Sequence, residues 1–330
     1  MTGDAGHDKR RVEREADPRY HSRVPGAARL GFLVLLAPVT SAAAQSQWRL
    51  ERPLEAHRTG VFLDARVTES SGVAVSRRSP GVLWSHNDSG DPSYLFATDT
   101  TGAVRGTFSV TGARNIDWED IALGPCEGSS CLYLADTGDN RERRGSVSVY
   151  RVPEPDLPAD RPKRVRPTAR AHALTFRYPD GPHDVEAMWV SPAGDVHLVT
   201  KGRSGPVRHY RISAAAWTSG RPVVPELVER LSLPVRSKLD LVTAAALSPD
   251  GRIVAVRTYG AVYFFLATGT GRLEAHPVSR GCDVRSLGIQ GEGVGWLNEE
   301  VLVLTSERAI LPAGTIAVTR CALPKPGPRS

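Results

Sequence analysis

The chain has 330 residues, 40% of them hydrophobic and 24% charged, with a net charge of +6. That balance fits a globular protein with a sizeable core. The excess charge is diffuse. Its one dense run, Arg161-Pro-Lys-Arg-Val-Arg166, is broken by proline and lacks the clustered bases and stacking aromatics of a nucleic-acid surface, so no nucleic-acid partner is expected.

Residues 1–23 are polar and read as a disordered leader or an over-extended start. Residues 24–44 read as a signal peptide: Arg23 and Arg29 supply charge, Leu30 to Val39 an apolar core, and Ser41-Ala-Ala-Ala44 a small-residue cleavage site. The core is too short to span a bilayer comfortably, so no stable membrane insertion is expected; an uncleaved anchor is the alternative. Residues 45–325 then form one domain and 326–330 a tail, exported to the cell envelope or beyond. The cysteines agree with export. Cys126 and Cys131 flank a turn-like Glu-Gly-Ser-Ser loop, and Cys282 and Cys321 lie near the ends of the last repeat, so two local disulfides are expected. The rival, a Zn site, lacks tight Cys/His spacing.

A phrase of small apolar residues recurs at Ser71, Glu119, Glu186, Thr243 and Glu292. Each is followed by an apolar strand with a polar end: Trp84 to Gly90, Tyr133 to Gly138, His197 to Gly202, Val254 to Gly260, Leu302 to Arg308. The anchors stand 48 to 67 residues apart, a repeat length that points to a β-propeller. The 31 glycines and 25 prolines punctuate many short strands, and the best helical stretch, Ala214 to Trp217, is weak.

The expected architecture is all-β: a five-bladed propeller of four-stranded antiparallel blades. A sixth blade, the alternative, would need more chain than the exported part provides. Blade 1 is expected at Gly72–Ser76, Val82–His86, Tyr94–Thr98 and Gly106–Val110. Blade 2 ends on Ala173–Tyr178 after a long Pro- and Arg-rich connection. Blade 3 continues through Val207–Ile212 and Leu227–Leu233, and blade 4 through Ala261–Leu266 and Leu273–Val278. Blade 5 runs Gly293–Leu297, Val301–Leu304 and Thr315–Thr319, one strand short. Trp48 to Leu54, at the start of the mature chain, is expected to supply the missing strand and close the ring.

Such a ring gathers equivalent positions at one mouth of its channel. The column before the inner strands reads Ser71, Glu119, Glu186, Thr243, Glu292; two residues earlier it reads Glu69, Asp117, Asp184, Leu241, Gln290. The ends of the second strands read Asp88, Asp136, Thr200, Thr258, Ser306, and then Ser89, Thr137, Lys201, Tyr259, Glu307. Glu69, Asp88, Asp117, Glu119, Asp136, Glu186 and Glu292 thus become candidate metal ligands, with Lys201 and Arg257 as counter-charges. Crowded carboxylates raise one another's pKa unless a cation sits among them, and hard oxygens suit Ca2+ or hydrated Mg2+. His86 would shift preference towards a transition metal. Trp118 is the aromatic expected to stack on a ligand. His183 reads as a turn histidine before a proton shuttle. Bracing of neighbouring blades is the competing role for each acid, and Asp136-Thr-Gly-Asp-Asn140 is a turn by composition. No nucleophile elbow and no phosphate-cradling loop is present.

The phrases Ser85-His-Asn-Asp-Ser-Gly90, Asp117-Trp-Glu-Asp-Ile-Ala122, Ala135-Asp-Thr-Gly-Asp-Asn140 and Asp184-Val-Glu-Ala-Met188 resemble a loosely WD40-like group of exported bacterial β-propeller proteins. The likeness covers most of residues 65–310, without the Gly-His and Trp-Asp signature of true WD40 repeats. More distantly the chain is similar to phytase-like and gluconolactonase-like propellers. That resemblance implies an acidic mouth holding Ca2+ or another divalent ion. A phytase-type site also wants many basic residues, and only Lys201 and Arg257 match.

Two functions follow. One is a monomeric binding module that takes a small molecule, glycan or protein at its acidic mouth. The other is a metal-dependent hydrolase of a small ester, lactone or phosphate. In the hydrolase, Glu119 and Glu186 are ligands or bases, and Lys201 or Arg257 steadies developing negative charge. No complete catalytic constellation emerges, which favours the module; a scaffold whose acids only brace the blades is a third reading.

Overall fold

The computed structural model describes residues 48–157, 164–275 and 280–324. The expected leader, signal peptide and tail lie outside them. The rest is all-β: five four-stranded antiparallel blades in a ring. From the channel outwards, blade 1 is Ser70–Val75, Leu83–Asn87, Tyr94–Thr98 and Val104–Ser109. Blade 2 is Trp118–Cys126, Ser129–Asp136, Val147–Pro153 and His172–Phe176. Blade 3 is Val185–Val190, Val196–Thr200, Arg208–Ile212 and Glu226–Arg230. Blade 4 has Val242–Leu247, Ile253–Thr258 and Ala261–Ala267, with its outer edge made in two pieces, Leu273–Ala275 and Arg280–Asp283. Blade 5 is Gly291–Trp296, Val301–Ser306, Thr315–Arg320 and Glu55–Val61.

The closing strand is therefore Glu55–Val61, which pairs antiparallel with Thr315–Arg320. The expected Trp48–Leu54 does other work: Arg49–Glu51 runs parallel to Arg280–Cys282 on the outer edge of blade 4. Trp48 anchors it there, its ring edge-on to Tyr263 and Phe265 and its indole N–H donating to the Ser232 carbonyl at 2.6 Å. Alternation in Trp48–Leu54 was a weak guide because an outermost strand is solvated and needs no apolar face. Gly60 is required in the closing strand, since a Cβ there would lie 2.2 Å from the Thr101 carbonyl oxygen. The long connection after blade 2's third strand also adds to an edge: Arg166–Pro167 pairs parallel with Phe108 and Ser109 of blade 1.

Burial falls from the channel outwards. Val185–Val190 and Val196–Thr200 are buried at every position, whereas Glu226–Arg230 has no buried residue. Hairpins joining inner to second strands turn on glycines at positive φ, Gly194 and Gly251, where a side chain would be strained. Five apolar cores lie among the described residues, one at each junction between neighbouring blades. Trp84, Trp118, Trp189 and Trp296 fill these junctions.

Every inner strand carries a β-bulge at the same place. Its register against the second strand shifts between Ser70 and Gly72, Trp118 and Asp120, Val185 and Ala187, Val242 and Ala244, and Gly291 and Val294. The extra residue is the anchor of the sequence repeat in each case. A bulge re-aims one side chain out of the pleat, and this places all five anchors at the channel end.

The blades are stitched by polar bonds as well as by apolar cores. Ser71 Oγ donates to the Glu119 carbonyl at 2.7 Å, Thr137 to Val185 at 2.8 Å, and Thr243 to Gly291 at 3.0 Å. Asp120 sits at the hub with no exposed surface. Its carboxylate accepts the backbone N–H groups of Ile121 at 2.8 Å, Met188 at 2.8 Å and Ala245 at 3.0 Å, joining blades 2, 3 and 4. Two disulfides are present. Cys126–Cys131 spans the first hairpin of blade 2, and Cys282–Cys321 joins the edge of blade 4 to the end of blade 5, with Cα atoms 5.9 Å apart.

Candidate functional site at the acidic mouth

The bulges bring Glu119, Glu186 and Glu292 to one end of the channel, all three buried. Lys201, at the end of blade 3's second strand, is 6% exposed and its ammonium group donates to Glu186. Tyr259, the equivalent residue of blade 4, has its hydroxyl pushed up by burial and by the nearby Glu292. Asp88, Asp117 and Asp184 stand around this inner group from blades 1, 2 and 3.

Two carboxylate triples are close enough to share a cation. Asp88, Asp117 and Glu119 form one; Glu119, Asp184 and Glu186 form the other, with ligand oxygens within 4.8 Å of one another in each. Glu119 belongs to both. Asp184 Oδ1 accepts the Asp139 N–H at 2.9 Å, but buried Oδ2 accepts no hydrogen bond, and the Arg203 guanidinium stands 3.9 Å from it. One oxygen of Glu292 is likewise without a partner. Buried polar atoms are normally satisfied, so these oxygens have the character of cation ligands.

Electrostatics tell the same story. Burial lifts the carboxyl of Asp88 to about 7, with Asp117 adding to it. Burial raises Glu119 well above the usual range; Glu186 and Asp88 push the same way and Lys201 opposes them. Glu292 is raised by burial and then by Glu186 and Glu307. For Lys201, burial works against the charge, but Glu186 and Glu119 outweigh it and hold the ammonium protonated. Lys201 and the buried Arg257 behind Glu292 cannot balance three buried glutamates with Asp88, Asp117 and Asp184 around them. The remainder must be protonated or neutralised by a cation.

Other candidates stand apart. Asp136 Oδ1 accepts the Asp117 N–H and the Arg144 guanidinium, both at 3.0 Å, and belongs to neither triple. Glu69 is exposed and acts at a distance, raising Asp88. Arg257 lies behind Glu292, and its guanidinium donates to the carbonyls of Gly293 and, at 2.7 Å, Thr305, bracing blade 4 against blade 5. Gly291 makes room for it: a Cβ there would fall 1.9 Å from the guanidinium.

Two ideas from the sequence need correction. Trp118 is fully buried, packed against His86 and Tyr150 with its indole N–H on the Arg114 carbonyl, so it has no face to offer a ligand. His86 is equally buried, and its Nδ1 meets the Asn87 carbonyl at 3.0 Å; it joins neither triple. Both residues alternate into the junction between blades 1 and 2 rather than towards the channel. His183, favoured as a turn histidine, lies just before the third blade's inner strand, stacks on Tyr210 and faces Asp180 at 3.1 Å. Asp184 was visible in the column two residues before the anchor but not among the candidate ligands, and Asp120 has no counterpart in other blades to mark it.

The fold and its mouth define a five-bladed β-propeller with a carboxylate-lined channel end. No family model and no curated protein matches the sequence. Solved structures do match, at low identity. The PQQ-bound aldose sugar dehydrogenase of Streptomyces coelicolor is 10% identical over 82% of this chain and 99% of that one, with a TM-score of 0.43. A gluconolactonase from Xanthomonas campestris is 13% identical over 84% and 96%, at 0.42. The β-propeller domain of a Myceliophthora protein is 12% identical over 81% and 99%, at 0.36. These are likenesses of fold.

Proposed function

We propose that this protein is an exported binding module whose acidic mouth holds a divalent cation, Ca2+ foremost, and uses it to recognise a small molecule, glycan or protein partner. The observation that carries the reading is Asp184 Oδ2, buried and without a hydrogen bond beside Glu119 and Glu186, with only the Arg203 guanidinium at 3.9 Å. Asp88, Asp117, Glu119, Asp184 and Glu186 are the residues that would hold the cation. All are hard oxygen donors, the set that suits Ca2+ or Mg2+. The bound charge would neutralise carboxyls that burial otherwise keeps protonated, so binding would release protons. Export is supported by the two disulfides, and no described helix is long and apolar enough to cross a membrane. The test is calorimetry on residues 45–330 with Ca2+, Mg2+ and Mn2+. Saturable binding that Glu119→Gln with Glu186→Gln abolishes supports the module; no binding at millimolar cation ends it.

A second reading, hydrolysis of an ester, lactone or phosphate, draws on Lys201 and Tyr259. Both place donors beside the carboxylates, where they could stabilise charge developing on a substrate. Turnover on a substrate panel, lost in Lys201→Met with cation binding retained, would select it. Absence of turnover across the panel leaves the module.

A further inference from the structure

Beside the acids, on the blade 3 to blade 5 side of the same mouth, lies a cavity of about 790 Å³. Its character is opposite. Three cationic side chains from three blades rim it: Arg203, Lys238 and Arg285, all exposed. Leu239 and Ile289 form part of its wall and are 49% and 44% exposed, high values for large apolar side chains. Tyr259 belongs both to this cavity and, through Glu292, to the buried acidic group. The wall is tied together by backbone bonds: Gly260 N–H to the Leu239 carbonyl at 2.8 Å, Val284 to Gly260 at 3.1 Å, and Glu307 to Gln290 at 3.1 Å. Gln290 is held there at φ 48°, a left-handed conformation that a non-glycine residue adopts at a cost.

Ligand pockets of this size are largely apolar with a few convergent polar groups. Here those polar groups are cations, and the neighbouring ones are carboxylates. We infer that the cavity over blade 4 seats a small organic anion with an apolar body, such as a carboxylic acid or phosphate monoester on an aliphatic or aromatic frame. Its anionic group meets Lys238 foremost, since Arg285 is already held by Asp283 and Arg203 donates to Asn140 Oδ1 at 2.7 Å, and its apolar body lies on Leu239 and Ile289. A polar end extends past Tyr259 towards the acidic triples; that extension alone rests on the cation reading. The division of charge makes the mouth selective. A dication would be repelled at one side, and a dianion without an apolar part would leave the leucine and isoleucine wet.

The probe is 8-anilino-1-naphthalenesulfonate, an amphipathic anion, titrated by fluorescence into residues 45–330 with and without 5 mM-scale Ca2+ (about that level suffices for a weak site). One saturable site is expected. Lys238→Glu and Ile289→Asp, both at exposed positions, should each weaken it about tenfold or more, the scale of one charged or apolar contact. Cation binding by calorimetry should survive in both. Conversely, Glu119→Gln with Glu186→Gln should lose the cation and keep the probe, so the two readings fail separately. Non-saturable fluorescence, an affinity unchanged by both substitutions, or equal binding of a cationic naphthyl dye would overturn the inference.

Discussion

Replacing Asp120 by Ala removes the acceptor of three buried N–H groups on three blades: Ile121, Met188 and Ala245. The hub has no exposed surface, so water cannot easily take over. An orphaned buried donor costs about 1–3 kcal/mol, so the three together cost about 3–9 kcal/mol. A domain has only about 5–15 kcal/mol to lose. Asp120→Ala should therefore fold marginally or not at all. Asp120→Asn is milder: its amide oxygen can still serve Met188 and Ala245, but its NH2 faces the Ile121 N–H, a loss of about 1–3 kcal/mol. Urea denaturation followed by tryptophan fluorescence, with the slope m held equal, gives both values. If Asp120→Ala lies within about 1 kcal/mol of the parent, on the scale of an ordinary surface change, the hub is not what joins these blades.

The titration of Asp88 carries a definite sign. Its carboxyl is lifted from 3.8 to about 7 in the fold, chiefly by burial, so ionising it costs the folded state. That cost is absent below about pH 4, grows as pH rises, and is complete above about pH 7. In cation-free buffer Asp88→Asn should raise the melting temperature at pH 8 and leave it unchanged at pH 4; equal effects at both would refute the shift. Gly138→Ala builds a Cβ 2.0 Å from Glu119 Oε1 and 2.6 Å from the Asp117 carboxylate. Calorimetry should show cation affinity falling about tenfold or more, and an unchanged affinity would remove Glu119 from the ligand set. Of the disulfides, Cys282–Cys321 closes a separation of 39 residues and Cys126–Cys131 one of 5. Paired serine substitutions should cost about 2–4 kcal/mol for the first and less for the second; the reverse order in denaturant melts would contradict the chain-entropy account.

The propeller was legible because its inner two strands are buried on both faces and must be apolar in every blade. That requirement made Val185–Val190 and Val196–Thr200 stand out, with their counterparts elsewhere. The outermost strand has no such requirement, and Glu55–Val61, exposed over most of its length, left no pattern to find. At the mouth, the anchor column spelled out Glu119, Glu186 and Glu292 because the bulge repeats. Residues whose task is set by a single blade were hidden. Asp120 follows its anchor immediately yet serves backbone from two other blades, and the burial of Trp118 depends on Tyr150, a neighbour far along the chain. Column reasoning finds what symmetry repeats and misses what breaks it.

The recurrent bulge has one more consequence. Because each anchor is a supernumerary position in its strand, it sits outside the pairing that holds the sheet. Serine, threonine and glutamate all occupy it without disturbing the ladder on either side. Chemistry at the rim can thus be rewritten at Glu119, Glu186 and Glu292 with the pairing within each blade intact, whereas Ser71 and Thr243 also tie their blade to the next.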